Sequence, residues 1–138
     1  MNEITFEEVE HLAFRMAREM LAYDEPIPDF STRFAGSLES CLAVPFQRFG
    51  GKTPYTTLTA KAAILFYLMI KNHPFQNGNK RIAMMTLFVF LHNNDKWIAV
   101  DEKELYNFTV WVAESPPTVK DATFAAIEFF LKKYITNR

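Results

Sequence analysis

The sequence predicts an all-α bundle with one small β-hairpin flap. Apolar residues recur at helical spacing along most of the chain. Breaks containing proline or glycine separate those stretches. A chain of 138 residues that is 49% hydrophobic and 15% aromatic, with 14 phenylalanines, can bury a sizeable core. No repeat, low-complexity tract or linker interrupts it, so residues 1–138 read as a single domain.

Thr5 followed by Glu8 has the form of a capping box opening the first helix. Val9, Leu12, Ala13, Met16 and Met20 then recur at helical spacing. The stretch DEPIPD (Asp24–Asp29) breaks that helix, because proline has no N–H to donate. Phe30, Phe34, Leu38, Cys41 and Leu42 form a second stripe, which Pro45 ends. VPFQRFGGKTPYTT (Val44–Thr57) carries a Gly-Gly pair and irregularly spaced aromatics, and reads as a short hairpin or flap. Leu58 to about Asn72 and Gly78 to about Asn93 have the pattern of buried helices. HNNDKWIAV (His92–Val100) is a turn with a short extended piece. Asp101 caps a helix running to about Ala113, and ESPPT breaks it. Thr118 to about Tyr134 is a last amphipathic helix, with Phe124, Ile127, Phe130, Leu131 and Tyr134 on one face.

Composition argues against several classes of function. The net charge of -1, from 15 basic and 16 acidic residues, gives no bulk basic excess for binding nucleic acid. The single cysteine, Cys41, excludes an intramolecular disulfide and a cysteine-rich zinc site. MNEITFEEVEHL at the N-terminus is acidic and lacks the basic head and apolar core of a signal peptide. The longest apolar runs, Ala62–Ile70 and Ile82–Leu91, are too short to span a bilayer. The expectation is a soluble cytoplasmic protein that binds neither nucleic acid nor membrane.

The densest polar cluster, NHPFQNGNKR (Asn72–Arg81), lies between the two most apolar helices. Pro74 cannot continue the first, Phe75 plugs the loop into the core, and the second starts near Gly78 or Asn79. The first N–H groups of a helix lack partners and its dipole is positive there, which makes an anion site. Gly78 lets a phosphate approach the backbone closely. Lys80 and Arg81 in the first turn oppose the dipole, a conflict that an anion bound there resolves. Arg81 can grip a phosphate bidentately, and Lys80 acts as a point charge. His73, just upstream, belongs to the residue type best suited to act as a general base near neutral pH. A base beside a phosphate cradle points to attack by a hydroxyl on a nucleotide phosphate. The bland readings make His73 a structural residue, Lys80 and Arg81 surface charges, and Asn77 a turn residue or cap.

HPFQNGNKR (His73–Arg81) resembles the signature of the Fic/Doc family, His-x-Phe-x-Asp/Glu-Gly-Asn-Gly/Lys-Arg, with matches at His73, Phe75, Gly78, Asn79 and Arg81. Lys80 stands where the Fic form has its second glycine, which is the form of the Doc (death on curing) branch. GSLESCLAVPFQRFG (Gly36–Gly50) resembles the Doc segment before the flap, and ITFEEVEHLAFRMAREM (Ile4–Met20) resembles the family's opening helix. The likeness runs through nearly the whole chain.

This resemblance implies a Fic-like helical bundle with ATP and Mg²⁺ as cofactors. Fic proteins transfer AMP from ATP to a protein hydroxyl, with the motif histidine as general base. Doc-branch toxins are paired with an antitoxin. Their lysine-bearing loop implies a reversed nucleotide, so that the γ-phosphate goes to a threonine of elongation factor Tu and translation is arrested. Carried onto this chain, the resemblance makes His73 the base and Lys80 and Arg81 the phosphate clamps. Gly78 allows close approach, Asn79 orients a phosphate or shapes the loop, and Asn77 stands at the Mg²⁺ position. The family's own inhibitory pattern, Ser/Thr-x-x-x-Glu, is not matched. Ser31, Thr32 and Ser37 are followed four residues on by Ala35, Gly36 and Cys41. Inhibition in trans by a Phd-like antitoxin is therefore implied.

There are two departures from the family pattern. Asn77 replaces an acid, and an uncharged amide ligates Mg²⁺ more weakly. Met84 stands where the Fic form often has a further arginine, which counts against AMP transfer. Two other readings stay open: AMP transfer from ATP to a protein hydroxyl, and a catalytically weak module that binds nucleotide or antitoxin. Elsewhere, the Met and Phe stripes read as core, and His11, His92 and Cys41 as packing or surface residues. Phe46, Phe49 and Tyr55 either pin the flap to the body or dock an extended target segment by strand addition.

Overall fold

The structure, a computed structural model, describes residues 1–20 and 26–138. Its first helix opens on the capping box. Thr5 Oγ1 accepts from the Glu8 N–H at 3.1 Å, and Glu8 Oε1 accepts from the Thr5 N–H at 2.9 Å. Helix α1 (Phe6–Glu8) runs through a π turn (Val9–Ala13) into α2 (Phe14–Met20). The Phe14 N–H closes that turn on the Val9 carbonyl, one residue wider than an α turn. The extra residue shifts the helical phase, so the buried stripe is Val9, Ala13, Phe14 and Ala17. Leu12, expected in the stripe, is 45% exposed. The expected break at Asp24–Asp29 lies partly outside the described residues. Beyond it, Asp29 caps a 3₁₀ turn (Phe30–Thr32).

The second stripe is not one helix. Arg33 and Phe34 are extended, and only then does α3 (Ala35–Ala43) begin. The reason is tertiary: the Phe34 N–H donates to the Pro74 carbonyl at 2.9 Å, not to a helical carbonyl. Phe34 is exposed as a result, while Leu38 and Cys41 stay buried. Pro45 lies within a 3₁₀ turn (Val44–Phe46) that follows α3.

The hairpin expected in the flap shrinks to one residue pair. Phe49 and Lys52 exchange both backbone hydrogen bonds, at 2.7 and 3.0 Å. Gly50 and Gly51 between them have φ of 59° and 79°, the left-handed values that a two-residue primed turn requires. Helix α4 (Leu58–Lys71), capped by Thr57, follows. Near its start the buried Lys61 holds both ends of the flap. Its ammonium donates to the Pro45 carbonyl at 2.9 Å and the Tyr55 carbonyl at 2.5 Å, and lies 4.9 Å from the Phe46 ring centre.

Every residue of α4 from Lys61 to Ile70 is buried, and α5 (Asn79–Asn93) packs along it nearly as deeply. Helices apolar on all sides belong at the centre of a bundle. A fully buried Leu, Ile or Phe in such a position contributes about 1.5–3 kcal/mol. After α5 comes the short strand β1 (Lys96–Ile98). Helix α6 (Glu102–Glu114) starts at Asp101, whose carboxylate accepts from the Lys103 and Glu104 N–H groups. Helix α7 (Lys120–Tyr134) packs on α4 and leads into β2 (Ile135–Asn137). The two strands pair antiparallel, with Trp97 opposite Thr136. The extended piece near residue 97 was thus expected, but its partner past Tyr134 was not. Among the described residues, no helix is long and apolar enough to cross a membrane.

Candidate active site

The polar cluster lies at the junction of α4 and α5, and four sets of contacts shape it. Phe75 is buried, with its ring centre 5.5 Å from that of Phe14 and 5.8 Å from that of Phe30. Asn79 locks the same residue by its backbone: Oδ1 accepts from the Phe75 N–H at 3.0 Å, and Nδ2 donates to its carbonyl at 2.8 Å. Segment 34–37 grips the loop on either side of His73, since Ser37 Oγ donates to the Asn72 carbonyl at 3.0 Å and the Phe34 N–H to that of Pro74. Lys71 Nζ donates to the carbonyls of Ala113 and Ser115 at 3.0 and 2.5 Å, tying the end of α4 to the end of α6.

These restraints hold backbone that would not form alone. His73 has φ of 45°, left-handed for a residue with a Cβ. Such residues persist where surrounding structure over-determines them, and they cluster at active sites. Gly78 has φ of 76° and caps α5. A Cβ there would sit 2.8 Å from Ile27 Cγ1, so both space and conformation demand glycine.

A cleft of about 220 Å³ opens at this junction, lined by Ile70, His73, Gln76, Asn77, Gly78, Asn79, Lys80 and Ala113. It therefore gathers His73, Asn77, Gly78, Asn79 and Lys80. Arg81 is 4% exposed and is not among the lining residues, because the first turn of α5 rotates it inward. His73 and Asn77 are exposed, and Lys80 is half-buried. Asn79 Nδ2 also lies 3.5 Å from His73 Nδ1, a long contact that orients the ring. Beneath the loop, burial pushes the Cys41 thiol up to about 11, as suits a packed and unreactive cysteine.

Sequence reasoning missed Ser37, the Phe34 N–H, Lys71 and Ala113. Each reaches the loop from another element, or braces it through one, and no local pattern marks it. The cleft can hold an anion against the first N–H groups of α5 and Lys80, with an imidazole at its mouth.

The family described as Fic/DOC matches residues 2–91, a stretch that contains the whole motif. A protein named Toxin Doc from Mycolicibacterium smegmatis is 34% identical over 73 residues, which are 53% of this chain and 56% of that protein. The match thus spans little more than half of that relative's length. No solved structure matches the chain. With the family match covering well over half of its residues and the motif seated at the cleft, the chain belongs to the Fic/DOC family.

Proposed function

We propose that the chain is a Doc-like toxin that transfers the γ-phosphate of ATP to a hydroxyl of a target protein. The observation that carries this reading is one cleft that gathers His73, Gly78, Asn79 and Lys80 at a helix N-terminus. The donor set suits a nucleotide phosphate: a helix N-terminus with its positive dipole end, a glycine without a Cβ, and a lysine ammonium. Bound ATP supplies the transferable phosphoryl group. His73 takes the proton of the attacking hydroxyl as the new O–P bond forms. The bond to the β-phosphate breaks and ADP leaves. Lys80 and the N–H groups of α5 oppose the charge on the transferring oxygens. Arg81 adds its positive charge from beneath the cleft.

Mg²⁺ fits less well. Among the described residues no three His, Cys, Asp or Glu side chains cluster, and the lining holds no carboxylate. Asn77 offers one neutral amide oxygen to a cation that prefers charged oxygen ligands.

Lys80 favours phosphoryl over AMP transfer, because its side chain fills space that a glycine leaves open for a diphosphate. Met84 is fully buried, so that position of α5 faces the core and offers the cleft no second arginine. The likeness to Toxin Doc supports a toxin, and inhibition in trans by a Phd-like antitoxin is what the resemblance to the Doc branch implies. The target would be a threonine of elongation factor Tu, with arrest of translation as the consequence. A second reading, a nucleotide- or antitoxin-binding module with little catalysis, is favoured by Asn77 and the carboxylate-free lining.

Calorimetric titration of the folded chain with ATP, with and without Mg²⁺, tests the nucleotide site. Saturable binding that Lys80→Glu abolishes is expected. No binding under either condition overturns both the transfer reading and the nucleotide-binding module. Binding with no label transferred to an added target protein selects the module.

A further inference from the structure

Helices α6 and α7 carry more apolar surface than the core uses. Leu105 and Val112 of α6, and Ile127 and Leu131 of α7, are fully buried. One such stripe satisfies a surface helix. Each of these helices has a second. Phe108 and Trp111 on α6 face Ala126 and Phe129 on α7 across an open groove. The groove continues past Trp111 and Ala126, and its two stretches hold about 680 and 650 Å³. Trp111 is 49% exposed and Phe129 74%. Phe108 stacks on Trp111 at 5.6 Å and on Phe130 at 4.1 Å, so the aromatics form one continuous face. This face lies beyond the family match and shares no lining residue with the motif cleft. A contiguous exposed apolar face of this kind marks an interaction surface.

Its pattern is complementary to itself. Glu104 on α6 and Lys133 on α7 border the same stretch of the groove. Trp111 and Ala126 both border the junction of the two stretches, and so lie at one level. A two-fold axis along the groove lays α6 of one copy over α7 of the other at matching levels. Glu104 then meets Lys133 twice, and the bulky Trp111 twice meets the small Ala126. Opposite charges pair at the rim, and large side chains find small ones at the centre. We propose that the α6–α7 face is where a second copy of this chain docks, about a two-fold axis along the groove, with Phe129 and Trp111 as the anchors.

Sedimentation velocity of the full chain over a wide concentration range tests this. The expected result is a dimer whose dissociation constant Phe129→Glu raises by about tenfold or more. Glu104→Lys or Lys133→Glu alone weakens it, and the two together restore it. Phe129 is exposed, so its variant keeps the circular dichroism and thermal unfolding of the parent. A wild-type monomer at every concentration overturns the proposal, as does a dimer indifferent to Phe129→Glu. A monomer that cosediments with phosphatidylcholine vesicles through Phe129 also overturns it and assigns the face to a membrane surface. So does a monomer that binds a Phd-like antitoxin through Phe129. None of these readouts depends on catalysis.

Discussion

Asn79 holds Phe75 by both of its backbone groups, its amide oxygen taking the N–H and its amide nitrogen giving to the carbonyl. One side chain at the start of α5 thereby fixes the loop that carries His73. Asn79→Ala leaves two buried backbone groups without partners, at a cost of about 1–3 kcal/mol each. Asn79→Asp keeps the acceptor but turns a carboxylate oxygen toward the Phe75 carbonyl. Urea unfolding is expected to show clear losses for both variants. Unfolding of either at the wild-type midpoint would show that the clamp adds nothing.

Gly78→Ala carries two separable penalties. A left-handed φ costs a residue with a Cβ about 1–2 kcal/mol, and the new methyl meets Ile27 at 2.8 Å. The double variant with Ile27→Ala relieves the clash but not the conformational cost. A double-mutant cycle in thermal unfolding should therefore return only part of the loss. Strictly additive losses would place Ile27 elsewhere.

Ser37 is expected to act on His73 without touching substrate. Its hydroxyl donates to the Asn72 carbonyl, one residue before the left-handed His73. Removing a hydrogen bond worth about 0.5–1.5 kcal/mol should lower kcat by roughly two- to tenfold in Ser37→Ala. KM for ATP should hold, and Ser37→Thr should recover the rate. An effect confined to KM would count against positioning.

Lys61 gives the flap a pH dependence. Burial holds its ammonium below the ordinary lysine range, and the Arg48 charge pushes the same way. The unfolded chain keeps this proton up to the ordinary lysine value of 10.5, while the folded chain releases it earlier. Between those points the unfolded state binds more protons, so this residue makes stability rise with pH. Wild type should thus gain on Lys61→Met in urea unfolding as pH climbs from neutral toward 10.5. At neutral pH the variant should show faster amide exchange at Phe49 and Lys52, because the ends of the flap lose their tie. A stability difference that stays constant with pH would contradict the buried-ammonium account.

The parts of the fold written in short spacings were legible. Thr5 with Glu8, and Asp101 before its helix, cap as their positions suggest because a cap is a local hydrogen bond. The motif falls at the α4–α5 junction for the same reason, since Pro74 and Gly78 act on their own neighbours. Tertiary effects were not legible. Nothing near Leu12 announces the π turn that rotates it outward. Phe34 leaves its stripe to bond Pro74, forty residues on. The tail from Ile135 forms a strand only because β1 lies beside it. At the site, the residue types were readable, but the inward turn of Arg81 and the wall supplied by Ala113 depend on how the helices pack.

Phosphoryl transfer from ATP, with His73 as the base, is the reaction proposed for the cleft. The most direct test incubates purified chain, and a His73→Ala control, with Mg²⁺, bacterial extract or purified elongation factor Tu, and ATP labelled at the α- or the γ-phosphate. The expected result is a protein band labelled from γ only, absent in the control. A band labelled from α would contradict it and establish AMP transfer. No band from either label, with folded protein, would leave a binding module in place of an enzyme.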